Sequence, residues 1–157
     1  MLSTAERTGA VSETGHSVRP DLTRSILGGF VGTVAITLMM YFVAPRMTGR
    51  TMDIARMLGS MLGDNWWAGM IMHFVNGTIV FPVIFALLLV KRLPGVPIVK
   101  GIIWGAILWL LAQAVVMPMM GAGFFSAHAG GMMAVMGSLM GHLVYGGLLG
   151  SIAGSPK

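Results

Sequence analysis

The stretch WAGMIMHFVNGTIVFPVIFALLLV, Trp67–Val90, holds no Asp, Glu, Lys or Arg. A helix crossing a bilayer needs about 20 mostly apolar residues, and this run supplies them. In lipid the backbone must satisfy its own hydrogen bonds, as a helix does. Residues 26–44, 98–120 and 132–153 qualify in the same way, and none contains Asp or Glu. The whole chain is 55% hydrophobic and 10% charged, with a mean hydropathy of +0.83. Soluble domains carry about 25% charged residues. Four spans leave no room for a separate soluble domain. The predicted fold is all-α: an integral membrane four-helix bundle over 26–157.

The spans read as two tandem helical hairpins. Gly32 and Pro45 are spaced as Gly105 and Pro118 are, and His73-Phe-Val-Asn-Gly77 is answered by His142-Leu-Val-Tyr-Gly146. Both halves run in the same direction, so the repeat is not an inverted one. Small residues four apart allow close helix approach in lipid. They occur at Gly28 and Gly32, Gly101 and Gly105, Gly137 and Gly141, and Gly150 and Gly154.

Residues 1–25 are polar and lack the apolar core of a signal peptide. They are expected to form a flexible cytoplasmic tail. Between the first two spans, Ile54, Met57, Leu58, Met61 and Leu62 make a helical stripe after Asp53. This predicts a short helix over about 53–62, lying in the outer interface. Trp66 and Trp67 then mark re-entry, and Pro82 should kink the second span.

Basic residues set the orientation. Arg7, Arg19, Arg24, Lys91, Arg92, Lys100 and Lys157 share one face, against Arg46, Arg50 and Arg56 on the other. The positive-inside rule then puts both termini in the cytoplasm. The net charge of +5 suits an anionic inner leaflet and is no nucleic-acid signal. The absence of cysteine excludes disulfides and thiolate chemistry.

Ionisable groups inside a membrane are costly and default to functional candidates. His73 and His142 fall within about 5 Å of the same depth, counted by helical rise to the next lysine. Asn76, Gln113 and Tyr145 join them in a predicted polar cluster, with Thr37 near the same level. The first reading is structural, with these groups bonding one another across helices. A second is bis-histidine haem b ligation by His73 and His142. A third comes from methionine. Apart from Met1, every methionine falls within Met39–Met72 or Met117–Met140, on the outer side of the predicted topology. Thioether sulfur is a soft ligand that selects Cu(I), with imidazole as a companion. The candidate ligands are Met70, Met72, His73, Met117, Met119, Met120, Met136 and Met140. The competing view is that methionine fills irregular gaps.

No carboxylate pair, Ser-His-Asp set, H-E-x-x-H or phosphate loop is present. The expectation is a non-enzymatic structural or accessory membrane component. It would need no cofactor, with copper or haem b as alternatives, and its surroundings would be the bilayer and another membrane complex. Trp109-Leu-Leu-Ala-Gln113, Pro118, Gly123-Phe-Phe125 and Gly141-His-Leu-Val-Tyr-Gly146 resemble small bacterial inner-membrane proteins of unknown function. That resemblance implies a four-helix bacterial membrane protein and carries over no catalytic residues.

Overall fold

The structure, a computed structural model, describes residues 21–49 and 51–154, apart from the side chains of Met47 and Thr48. The predicted tail before residue 21, together with Arg50 and Lys157, lies outside the described residues. Four helices are long and apolar enough to cross a membrane: α1 (Leu22–Arg46), α3 (Trp66–Leu89), α4 (Pro97–Met119) and α5 (Gly131–Ala153). Between α1 and α3 lies the short helix α2 (Ile54–Gly59). No strand occurs among the described residues. The protein is an all-α membrane bundle.

Helix ends follow local chemistry. Asp21 caps α1 by accepting from the Arg24 N–H at 3.1 Å. The helix therefore starts before Ser25, and residues 22–25 belong to it, not to the predicted tail. Asn65 caps α3 through the Ala68 N–H. At the far end of α3, Lys100 Nζ donates to the Val90 carbonyl at 2.6 Å and Arg92 to that of Leu88 at 2.8 Å. Cations suit the carbonyl end of a helix.

Prolines shape the spans by a shared device. The N–H before each of Pro45, Pro82 and Pro118 reaches back five residues, Ala44 to Met39, Phe81 to Asn76 and Met117 to Ala112. Proline has no N–H and its ring crowds the carbonyl four residues back. A widened π-turn makes room for the ring without breaking the helix. The expected disturbance at Pro82 thus takes this form.

The helices pack in the order α3–α1–α5–α4, an arc in which α4 on α5 and α1 on α5 are the most extensive seams. Small residues set both. A Cβ at Gly101 or Gly105 would overlap the Gly146 or His142 carbonyl, and one at Gly32 would meet the Tyr145 ring at 2.8 Å. On α5 the seam runs through Gly146 and Gly150. Of the pair predicted four residues apart at Gly137 and Gly141, Gly137 has open space before it. The ends of the arc, α3 and α4, meet mainly near the turn joining them, where the Phe81 and Trp104 rings stand edge to face at 6.4 Å.

Helix α2 docks differently from expectation. Its buried residues are Ala55 and Gly59, and Ala55 packs on Gly69 of α3, while Met61 and Leu62 stay exposed. Small residues allow a closer seat than the larger apolar stripe would. Asp53 secures the seat, accepting from the Tyr41 hydroxyl at 2.7 Å, the Arg56 N–H at 2.9 Å and the Trp66 indole at 3.2 Å.

Candidate functional site: a polar-ended cavity inside the bundle

Because α3 and α4 diverge away from their turn, the bundle forms a partly open cavity of about 320 Å³ lined by all four spans and by α2. Its wall is mostly apolar, with residues such as Ile36, Phe81, Leu108 and Leu111. One part is polar. His73, Asn76, His142 and Tyr145, four of the five residues predicted as a cluster, all line it. Thr33 and Ser138 stand with them.

His73, His142, Tyr145 and Thr33 are each held by a neighbouring backbone carbonyl or hydroxyl. His73 Nε2 lies 2.9 Å from Thr37 Oγ1. That hydroxyl donates its single hydrogen to the Thr33 carbonyl at 2.6 Å, so the imidazole must be the donor to it. His142 Nδ1 lies 2.8 Å from the Ser138 carbonyl, which can only accept. His142 is therefore a donor at Nδ1. A neutral imidazole has one N–H and one lone pair. The bonds thus leave lone pairs at His73 Nδ1 and His142 Nε2.

Tyr145 donates to the Gly77 carbonyl at 2.7 Å, tying α5 to α3. The π-turn explains why this acceptor is open. In an α-helix the Phe81 N–H would serve Gly77, but here it serves Asn76. The next nitrogen belongs to Pro82 and carries no hydrogen. Thr33 packs directly against Gly77, and its hydroxyl turns back to the Gly29 carbonyl at 2.7 Å.

Gln113 stands apart from the cluster. It is completely buried, and its Oε1 accepts from the Ser126 hydroxyl at 2.9 Å. Helical rise carries it about 12 Å beyond Gly105, the level at which α4 meets His142. Among the described residues its amide nitrogen has no partner. Ser126 and its neighbour Phe125 both adopt left-handed backbone, φ 53° and 49°, an uncommon state for such residues.

The predicted soft-metal set does not converge. Met72, Met119, Met136 and Met140 lie on exposed surfaces, and of that set only His73 and Met117 line the cavity. A different group does: Met40, Met52 and Met57 join Met117 there. Met52 and Met57 come from the segment around α2, which sequence spacing alone could not bring over the bundle. Among the described residues no group of three or more His, Cys, Asp or Glu could hold a metal ion.

No curated protein and no solved structure matches the chain. The profile of a family of unknown function, DUF6789, matches residues 20–155, and the chain belongs to that family.

Proposed function

We propose that this protein is a non-enzymatic accessory component of a bacterial inner membrane that holds a small, largely apolar molecule within its four helices. The observation that carries the reading is the cavity of about 320 Å³, apolar along most of its wall and polar where His73, Asn76 and His142 meet. Ligand sites commonly combine an apolar wall with a few placed polar groups. The divergence of α3 from α4 offers a route from lipid, so the ligand would come from the bilayer itself. Among the described residues no carboxylate lines the cavity beside the two imidazoles, and that supports binding over catalysis. The orientation proposed here keeps both termini cytoplasmic, supported by Lys91, Arg92 and Lys100 around one turn. Tandem duplication is supported by matching π-turns, Met39–Val43 before Pro45 and Ala112–Val116 before Pro118.

Calorimetric titration of the detergent-solubilised protein with 4-octylanisole tests the cavity. Saturable binding is expected, and Ala112→Phe, which fills the cavity wall, should abolish it while helicity is retained. Binding that survives the filled variant would place the ligand elsewhere. Because the chain has no cysteine, single cysteines at Gly95 and Asn65 report orientation. An impermeant maleimide should label only the latter in intact cells.

A second reading is passage of a soft ion, supported by Met40, Met52, Met57 and Met117 lining the same cavity as the two imidazoles. Met117 lies about 18 Å beyond the level of Gly105 by helical rise, so the sulfurs and imidazoles form a path and not one coordination sphere. Copper retained by the purified protein and lost in Met40→Leu with Met117→Leu would favour it. Haem b has only the shared cavity of His73 and His142 in support. A Soret band removed by His142→Ala would be its signature.

A further inference from the structure

The two imidazoles do more than mark the polar end of the cavity; their hydrogen bonds fix its polarity. Thr37 Oγ1 takes the N–H of His73 and the Ser138 carbonyl takes that of His142. Among the described residues no other hydrogen bond reaches either ring, so His73 Nδ1 and His142 Nε2 keep lone pairs without a donor from these residues. Among the described residues the side-chain polar atoms buried without a partner are Thr78 Oγ1, Trp104 Nε1 and Gln113 Nε2, and neither imidazole nitrogen is one of them. The accessible surface of both residues includes the wall of the cavity.

The other polar groups there do not compete. The Tyr145 hydroxyl is spent on the Gly77 carbonyl, and that of Thr33 on Gly29. Asn76 and Ser138 can each turn to donate or accept. The imidazoles have a set sign, and both are acceptors. A buried acceptor left unpaired in an apolar site is costly, so a ligand that fills the site without donating forfeits that interaction.

We propose that the cavity selects an apolar molecule whose head carries a hydroxyl donor, such as a phenol or a benzenediol, over the same molecule with its oxygen capped or oxidised to a carbonyl. This rests on the cavity being a ligand site. The hydroxyl donates to His73 Nδ1 or His142 Nε2, a diol engages both, and the tail lies along Ile36, Leu108 and Leu111. An ether or a ketone of the same size brings only acceptors to the two lone pairs. Lipid-soluble diols and their oxidised diones are therefore told apart by the protein, with the reduced form held more tightly.

The test compares 4-octylphenol with 4-octylanisole, which differ by capping one hydroxyl, in calorimetric titration of the full chain. The phenol is expected to bind at least about tenfold more tightly, the size of effect one hydrogen bond supports. His73→Phe and His142→Phe together should bring the ratio close to one while 4-octylanisole still binds, and that binding reports an intact cavity. Equal affinities in the unmodified protein would overturn the donor selection and leave the cavity reading standing. If neither compound binds, both fall. Should the double variant not fold, the ratio in the unmodified protein still decides.

Discussion

Tyr145 Oη donates to the Gly77 carbonyl across 68 residues of sequence at 2.7 Å, and this bond repairs a defect that Pro82 creates in α3. Proline removes the donor, the π-turn gives the Phe81 N–H to Asn76, and the phenol of another span supplies the missing hydrogen. Packing and hydrogen bonding are joined at this point, since the Tyr145 ring also lies against Gly32 of α1. Three spans meet on one side chain.

Tyr145→Phe keeps the ring and removes the hydrogen. Polar contacts between membrane helices average about 0.6 kcal/mol, but this change leaves a carbonyl without its donor in a buried setting. The expected loss is therefore larger, about 1–2 kcal/mol. Unfolding in mixed micelles with increasing dodecyl sulfate would measure it. A loss no larger than that of an average contact would show that Gly77 finds another partner.

The explanation makes Pro82 and Tyr145 energetically coupled. Pro82→Ala removes a buried ring that packs on Gly29, so the single variant is expected to be less stable. It also restores a backbone N–H, which lets α3 return to regular register and serve Gly77 from within. In that background Tyr145→Phe should cost less than it does alone. A double-mutant cycle is expected to give a coupling of about 1 kcal/mol. Additive effects would dissociate the tyrosine from the proline.

Much of this arrangement was legible from residue spacing. The four spans were readable because a bilayer demands long apolar runs, and His73, Asn76, His142 and Tyr145 because polar groups in such runs are few. Gln113 departs from the expected cluster for a physical reason: counting residues along one helix does not fix its level against a neighbouring helix, and beyond the level where α4 meets His142 the loop bearing Ser126 folds back to claim it. The methionines show the same limit. Sequence segregates them to two windows, but Met52 and Met57 reach the cavity only because Ala55 and Gly59 seat α2 on α3. That seat depends on the absence of large side chains, which a search for apolar stripes passes over. Three of the π-turns carry no sequence signature beyond the prolines that follow them, and the one at Phe85–Leu89 lacks even that.

Asp53 should make the seat of α2 sensitive to acid. Burial alone would raise the pKa of its carboxyl, but the Arg56 N–H, the Tyr41 hydroxyl and the Trp66 indole outweigh that and hold it below its ordinary value of 3.8. The unfolded segment thus binds a proton at higher pH than the docked one. The stabilisation is complete above the unfolded value and is lost as pH falls through the lowered, docked one. Trp66 fluorescence is expected to stay constant from pH 7 to about 5 and to change only on stronger acidification. Asp53→Ala should lose about 1–3 kcal/mol of docking at neutral pH, because two side-chain donors and a helix cap lose their acceptor. The Arg56 pair contributes little to this, being 3.8 Å long with an 84% exposed arginine side chain.

Two glycines of α5 separate close packing from helix propensity. At Gly146 a Cβ would overlap the Gly101 carbonyl, a backbone atom that cannot swing aside, whereas at Gly137 nothing lies within 4 Å. Alanine is the better helix former by about 1 kcal/mol. Gly137→Ala should therefore leave stability unchanged or raise it by up to about 1 kcal/mol. Gly146→Ala gains the same propensity but must push α4 away from α5 along their most extensive seam. Interhelical attraction in lipid comes from close van der Waals contact, so separating the backbones removes it over the whole stretch from Gly101 to Gly105. A net loss of at least about 2 kcal/mol is expected, read from the midpoint of dodecyl sulfate unfolding. His142 sits on that same seam through its carbonyl against Gly105, so the displaced helix should also weaken 4-octylphenol binding, while Gly137→Ala leaves it intact. Equal behaviour of the two alanines would mean that the glycine contact does not hold these helices together.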